Sequence, residues 1–156
     1  MGLDMDFSKL EPQDVLDLAI YAEEDARDAY DQIASWMDAH DNREPADFFR
    51  RMARAEQAHC DRLNRQRRQL FGDTPPRHTS TIAWEVEAPD YDAIEAVMSL
   101  RAAFKAALSA EVKAYDYYDQ ALAYVTEPTV VELFEQLRQA ELDHQRMIER
   151  ELAKVE

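Results

Sequence analysis

Two short motifs in different halves of the chain carry side chains that could bind metal. Glu56-Gln57-Ala58-His59 and Glu141-Leu142-Asp143-His144 share the pattern Glu-x-x-His. On an α-helix, residues three apart project from one face about one turn apart, so each motif presents a carboxylate beside an imidazole. Iron, manganese and zinc bind such groups. If both motifs are helical, the sequence predicts two halves of a metal site.

The sequence before each motif repeats as well. Glu23, in Ala-Glu-Glu-Asp-Ala, precedes Tyr30 by seven residues, and Glu111, in Ala-Glu-Val-Lys-Ala, precedes Tyr118 by seven. The interval to the Glu of the following Glu-x-x-His motif is 33 residues in the first half and 30 in the second. Self-similarity of this kind indicates a duplicated structural unit. We infer a duplicated helical hairpin with one further candidate carboxylate in each copy.

Apolar residues at helical spacing indicate the elements that position these side chains. The chain has only two glycines and 46% hydrophobic residues, which favours long helices. Residues 72–90 break this spacing. If extended, these 19 residues reach at most about 60 Å, whereas a helix of 26 residues is about 40 Å long. This connector can therefore cross a bundle. We expect one all-α domain over 1–156, a four-helix bundle of two hairpins, with helices at about 12–38, 45–71, 99–125 and 129–153 and a crossover at 72–98 containing a short helix at 91–98.

The chemistry of the site follows from the charge of its ligands. Glutamates on apolar stripes need a partner that neutralises them. Dimetal carboxylate bundles use a Glu from each of two helices and Glu-x-x-His from each of the other two. Four carboxylates balance two divalent ions, and the ligand types favour two irons, with manganese as an alternative. We predict that Glu56 and Glu141 bridge the ions, that Glu23 and Glu111 are terminal ligands, and that His59 and His144 bind one ion each. Two Glu–His hydrogen-bonded pairs in a metal-free bundle are the structural alternative.

Charge and cysteine content limit the partners and the compartment. The net charge of −15 argues against nucleic acid or an anionic membrane as a partner. Cys60 is the only cysteine, so no intramolecular disulfide can form, and a reducing, cytoplasmic location fits best. No run of 18 apolar residues exists, so we expect no membrane span.

From about Val15 to Leu152, the chain resembles the rubrerythrin branch of the ferritin-like superfamily. The two Glu-x6-Tyr phrases and the paired Glu-x-x-His motifs carry the resemblance. It implies a ferritin-like four-helix bundle with a diiron centre, in which Tyr30 and Tyr118 hydrogen-bond to carboxylates of the site. It also implies an oxidoreductase of the peroxidase or ferroxidase type, in which Fe(II) pairs react with peroxide or dioxygen. We expect a homodimer.

Two departures from that family pattern bear on the reaction. Rubrerythrins proper carry a rubredoxin domain with two CxxC pairs, whereas this chain has one cysteine, so we expect a separate electron donor such as a rubredoxin-like protein. They also carry an extra Glu near the third-helix ligand. Here Leu108 and Ala114 stand three residues on either side of Glu111, which weighs against efficient peroxide reduction.

Two other functions use the same ligand plan. An iron-binding or storage protein would have only incidental ferroxidase activity, but storage cages usually use a fifth helix that this short tail does not provide. A diiron hydroxylase would need a substrate channel or an apolar membrane-docking face, and the sequence contains no clear candidate for either.

Overall fold

The computed structural model describes residues 5–77 and 99–155, and this part of the chain forms a bundle of four long helices. A short 3-10 helix, Phe7–Lys9, precedes them. Helix α1 packs mainly against α2, and α3 packs mainly against α4. The predicted all-α bundle of two hairpins is confirmed. The helices are α1 (Pro12–Ala39), α2 (Arg43–Phe71), α3 (Leu100–Ala121) and α4 (Pro128–Ala153).

Most of the connection between the hairpins cannot be compared with the prediction. The crossover was expected at 72–98, and the short helix expected at 91–98 lies outside the described residues. Within 72–77, the Pro75 carbonyl oxygen accepts a hydrogen bond from Gln13 at 2.9 Å, and Arg77 forms an ion pair with Glu11. The connection therefore leaves α2 along the amino-terminal end of α1. A single domain over 1–156 stays a prediction.

Residues at the helix ends explain most of the boundaries. Asp14 accepts the backbone N–H of Glu11 at 2.8 Å and forms a capping box at the start of α1. The hydroxyl oxygen of Ser99 accepts the N–H of Ala102 at 3.1 Å and caps α3. Gly72 ends α2 with a φ of +61°, a left-handed conformation that glycine adopts without strain.

Two boundaries differ from the sequence prediction. Helix α2 begins at Arg43, two residues before Pro45, because the first N–H groups of a helix have no intrahelical partner and a proline there breaks no bond. Helix α3 was expected to run to about 125 but ends at Ala121. The Ala121 carbonyl accepts the N–H groups of both Tyr124 and Val125, and this shared acceptor closes a turn instead of extending the helix.

The apolar core consists of two layers separated by polar side chains. One layer lies around the amino-terminal half of α1 and contains Leu16, Leu63 and Phe134, while the other contains Met37 and Phe104. The buried glutamates of all four helices fall between these layers. The helices therefore position a polar site inside an apolar bundle, where a charged group must find a partner.

None of the helices in the described part of the chain combines the length and the apolar character that crossing a membrane requires.

Candidate metal centre

Six side chains predicted as metal ligands meet in the centre of the bundle. The four glutamates are fully buried, at 0% exposure, and each histidine is 7% exposed. They form two overlapping groups, and in each group the potential ligand atoms lie within 4.8 Å of one another. Glu56 and Glu141 belong to both groups. The first group also contains Glu23 and His59, and the second also contains Glu111 and His144.

Each histidine turns its Nδ1 atom towards carboxylates from other helices. His59 Nδ1 lies 3.3 Å from Glu23 Oε2 and 3.4 Å from Glu141 Oε1. His144 Nδ1 lies 3.2 Å from Glu56 Oε1. The two rings are stacked, with centroids 5.7 Å apart and an interplanar angle of 19°. The arrangement places two imidazole nitrogens on one side of the carboxylate cluster.

Two tyrosines hold the carboxylates of α1 and α3 in place. The Tyr118 hydroxyl group donates a hydrogen bond to Glu23 Oε1 at 2.7 Å, and the Tyr30 hydroxyl group donates to Glu111 Oε1 at 2.8 Å. Each bond joins α1 to α3, because each tyrosine reaches the glutamate of the other hairpin. Both tyrosines were expected to contact carboxylates of the site, and the structure contains both contacts.

The fold imposes opposite electrostatics on the two glutamates of the first hairpin. Burial opposes ionisation of Glu23, but the His59 ring and the Tyr118 hydroxyl group favour it and lower its pKa to about 2. Burial and the charge of Glu141 raise the pKa of Glu56 well above its ordinary value. A negative charge is therefore less favourable on Glu56 than on Glu23.

Hydrogen bonding within the protein leaves part of the site unsatisfied. Among the described residues, both carboxylate oxygens of Glu56, Oε2 of Glu111 and Nδ1 of His144 are buried without a hydrogen bond of good geometry. Leaving such a group unsatisfied costs about 1–3 kcal/mol, so native proteins usually give it a partner. Divalent cations bind carboxylate oxygens and imidazole nitrogens. The residues present therefore fit a metal site.

A second buried polar contact was missed at the sequence level. Arg67 Nε donates to Asp17 Oδ1 at 2.6 Å, and both side chains are largely buried. Neither residue was predicted to take part in a buried contact. A signal was available, because Arg67 follows the buried Leu63 by four residues and so shares its inward face. The pair joins α1 to the end of α2.

Comparisons with known proteins identify a matching family model and a similar fold. The family model described as Rubrerythrin matches residues 14–152. A crystal structure of an uncharacterized conserved protein from Magnetospirillum magnetotacticum is similar to this fold, with a TM-score of 0.77 and 24% sequence identity. The similarity covers 93% of this chain and 95% of that chain. No curated protein matches the sequence significantly. The predicted ferritin-like fold is confirmed, and family and cluster together indicate a metal site.

Proposed function

The chain belongs to the rubrerythrin family, and on that basis we propose that it binds two iron ions and acts as an oxidoreductase. The proposed reaction is that of an Fe(II) pair with peroxide or dioxygen. The observation that carries the proposal is the overlap of the two ligand groups. Glu56 and Glu141 belong to both groups, which is what two neighbouring ions sharing bridging carboxylates require.

The charges of the ligands favour two divalent ions over one. Four fully buried carboxylates carry a charge of −4 when ionised, and two divalent ions neutralise it. In this proposal Glu23 and His59 hold one ion, and Glu111 and His144 hold the other. Two imidazoles with several carboxylates suit iron, and manganese is the alternative. Structural zinc sites, by contrast, usually use Cys and His.

The protein side chains orient the ligands and limit access to the site. When bound, a pair of ferrous ions supplies two electrons together, which is enough to reduce one peroxide molecule, with two protons, to two waters. Tyr118 and Tyr30 hold one oxygen of Glu23 and of Glu111, leaving the second oxygen of each carboxylate for metal. All four glutamates are shielded from solvent, so a small oxidant would approach along the slightly exposed histidines.

Reducing equivalents must come from outside these residues. The single cysteine, Cys60, is buried and cannot by itself form a cysteine-ligated iron centre. We therefore propose that a separate protein, such as a rubredoxin-like protein, returns electrons to the site after each reaction.

An anaerobic titration tests the proposal. Fe(II) added to metal-free protein should bind with a break at two ions per chain, and peroxide or dioxygen should then oxidise the bound iron within seconds. Glu141→Ala should abolish the break at two. The matched variant Glu135→Ala, at an exposed position on the same helix, should retain it. Bound Fe(II) that survives both oxidants for minutes contradicts the proposed reaction, and a break at one ion contradicts the dimetal site.

Sedimentation distinguishes the proposed oxidoreductase from an iron-storage protein. A storage protein needs a closed assembly such as a 24-mer around a mineral cavity, whereas we propose a homodimer. A 24-mer in the analytical ultracentrifuge would favour storage.

A further inference from the structure

Positive charge is concentrated on helix α2. This helix carries eight arginines and four acidic residues, whereas the rest of the chain has ten basic and 29 acidic residues. A basic helix on a strongly acidic protein creates a local field that attracts anionic partners. The net charge of −15 for the whole chain does not reflect this separation of basic and acidic residues.

The charge forms a stripe along the outer face of α2. Arg50 and Arg67 form ion pairs with Asp38 and Asp17. The stripe consists of Arg51, Arg54, Arg62 and Arg65, of which Arg62 is half-buried and the others are exposed. Within residues 5–77 and 99–155, these four arginines form no ion pair. Their spacing of three, eight and three residues keeps them on one face of the helix.

The metal centre comes closest to the surface on the same side of the bundle. Among the six candidate ligands, only His59 of α2 and His144 of α4 have any exposed surface, and their rings lie against each other. Their outer edges therefore lie at the seam between α2 and α4. Arg62 follows His59 by one turn and donates a hydrogen bond across this seam to Gln136 of α4.

A cleft continues the seam beyond the histidines. It has a volume of about 300 Å³, and its polar lining includes Arg62, Arg65, Gln66, Thr129, Glu132 and Gln136. The residues that follow α2, at 74–77, contact α1 instead of this seam. The cleft thus presents two guanidinium groups, which bind carboxylates well, and one of them, Arg62, follows His59 of the metal centre by one helical turn.

We propose that the seam between α2 and α4 is the docking surface for a small acidic electron-donor protein. Arg62 and Arg65 bind carboxylates of this donor. The inference rests on the proposed function, which requires an external donor. Each docked donor loses one electron, so two docking events replace the two electrons that one reaction consumes. A second copy of this chain is also acidic, but in a stable dimer it would keep the exposed edge of the site covered, whereas a donor leaves after each electron transfer. Nucleic acid and anionic membranes are disfavoured by the 29 acidic residues elsewhere.

A binding experiment on metal-free protein tests the surface without depending on iron chemistry. The probe is ¹⁵N-labelled, zinc-substituted rubredoxin of net negative charge, titrated with the protein at 50 mM and 300 mM NaCl. The double variant Arg62→Glu/Arg65→Glu should raise the Kd at least tenfold at low salt, and the difference should shrink at high salt. The control is the double variant Arg43→Glu/Arg150→Glu, which changes the net charge by the same amount at the end of α2 and α4 that lies away from the cleft. It should raise the Kd less than threefold.

The outcomes separate this inference from the proposed function. Equal losses in the two double variants would show that only net charge matters and would overturn the docking surface, as would unchanged binding in Arg62→Glu/Arg65→Glu. Loss of self-association in that variant, without loss of rubredoxin binding, would assign the face to a second copy and also overturn it. The iron stoichiometry of both variants should stay at two per chain. A stoichiometry other than two in the wild-type protein would contradict the proposed function while leaving the docking result intact.

Discussion

Neutralising Glu23 and neutralising Glu56 in the metal-free protein should change its stability in opposite directions. Both glutamates are fully buried in the same cluster, so a simple burial argument would treat them alike. Their surroundings differ, however. Glu23 accepts a hydrogen bond from Tyr118 and lies beside His59, whereas Glu56 faces the negative charges of Glu141 and other carboxylates. Glutamine keeps the size of each side chain and removes its charge.

The magnitude for Glu23 follows from its pKa. The fold lowers this pKa from 4.5 to about 2, and one pKa unit corresponds to about 1.4 kcal/mol. The ionised Glu23 therefore contributes about 3 kcal/mol to the free energy of unfolding, which Glu23→Gln should remove. With a urea m-value of about 2 kcal/mol/M, the unfolding midpoint should fall by about 1.5 M. Glu56→Gln should raise the midpoint, because the fold raises the pKa of Glu56 and so opposes its charge.

The pH dependence distinguishes the two effects. The contribution of Glu23 is fully present above pH 4.5 and is lost only as the pH falls towards 2. The cost of Glu56 is absent below pH 4.5 and grows as the pH rises through its higher folded-state pKa. Urea unfolding in EDTA at pH 4.5 and pH 8, followed by circular dichroism, should therefore show an advantage of Glu56→Gln that increases with pH. The deficit of Glu23→Gln should be present at both values.

An exposed glutamate provides the control for this comparison. Glu135→Gln should leave the free energy of unfolding within about 0.5 kcal/mol of the wild-type value at both pH values. If Glu56→Gln destabilises the metal-free protein as much as Glu23→Gln does, loss of hydrogen bonding and packing outweighs charge repulsion, and the electrostatic reasoning is wrong.

Three further outcomes follow from the structure. Arg67→Ala leaves Asp17 buried without its cation and should lower the free energy of unfolding by about 3–5 kcal/mol in urea melts, while Asp17→Asn/Arg67→Met should recover much of the loss. Tyr118→Phe removes a hydrogen bond to a charged carboxylate and should cost about 1.5–3 kcal/mol, whereas Tyr124→Phe, at a side chain that is 53% exposed, should cost little in the same melts. Fe(II) or Mn(II) at 100 times its Kd should stabilise the protein by about 2.7 kcal/mol per site and raise Tm in calorimetry, and chelation should reverse the rise; an unchanged Tm would contradict a metal site.

Much of the fold was predictable because helical order is local. The apolar stripes and the low glycine content identified four helices. The ends were less predictable. Helix α3 ends early because the N–H groups of Tyr124 and Val125 share the Ala121 carbonyl. This hydrogen bonding depends on the conformation of the whole turn and not on one residue.

The site was predictable in composition but not in its connections. Spacing on one helix placed His59 beside Glu56 and His144 beside Glu141, because the helical repeat determines which side chains share a face. The crossed pairing of Tyr30 and Tyr118 with the glutamates of the opposite hairpin was not readable from the sequence, since it depends on how α1 and α3 pack.

By itself, then, the sequence determined the helices, the duplicated hairpin and the six side chains turned inward, since each of these follows from the period of a single helix. The tertiary structure decided which partners each charge receives. It brought Arg67 to Asp17, surrounded Glu56 with carboxylates while giving Glu23 a hydroxyl group and an imidazole, and placed Arg62 against Gln136 across the seam between α2 and α4. These outcomes depend on distances between helices, which no local pattern encodes, because electrostatic energies change steeply with separation and burial.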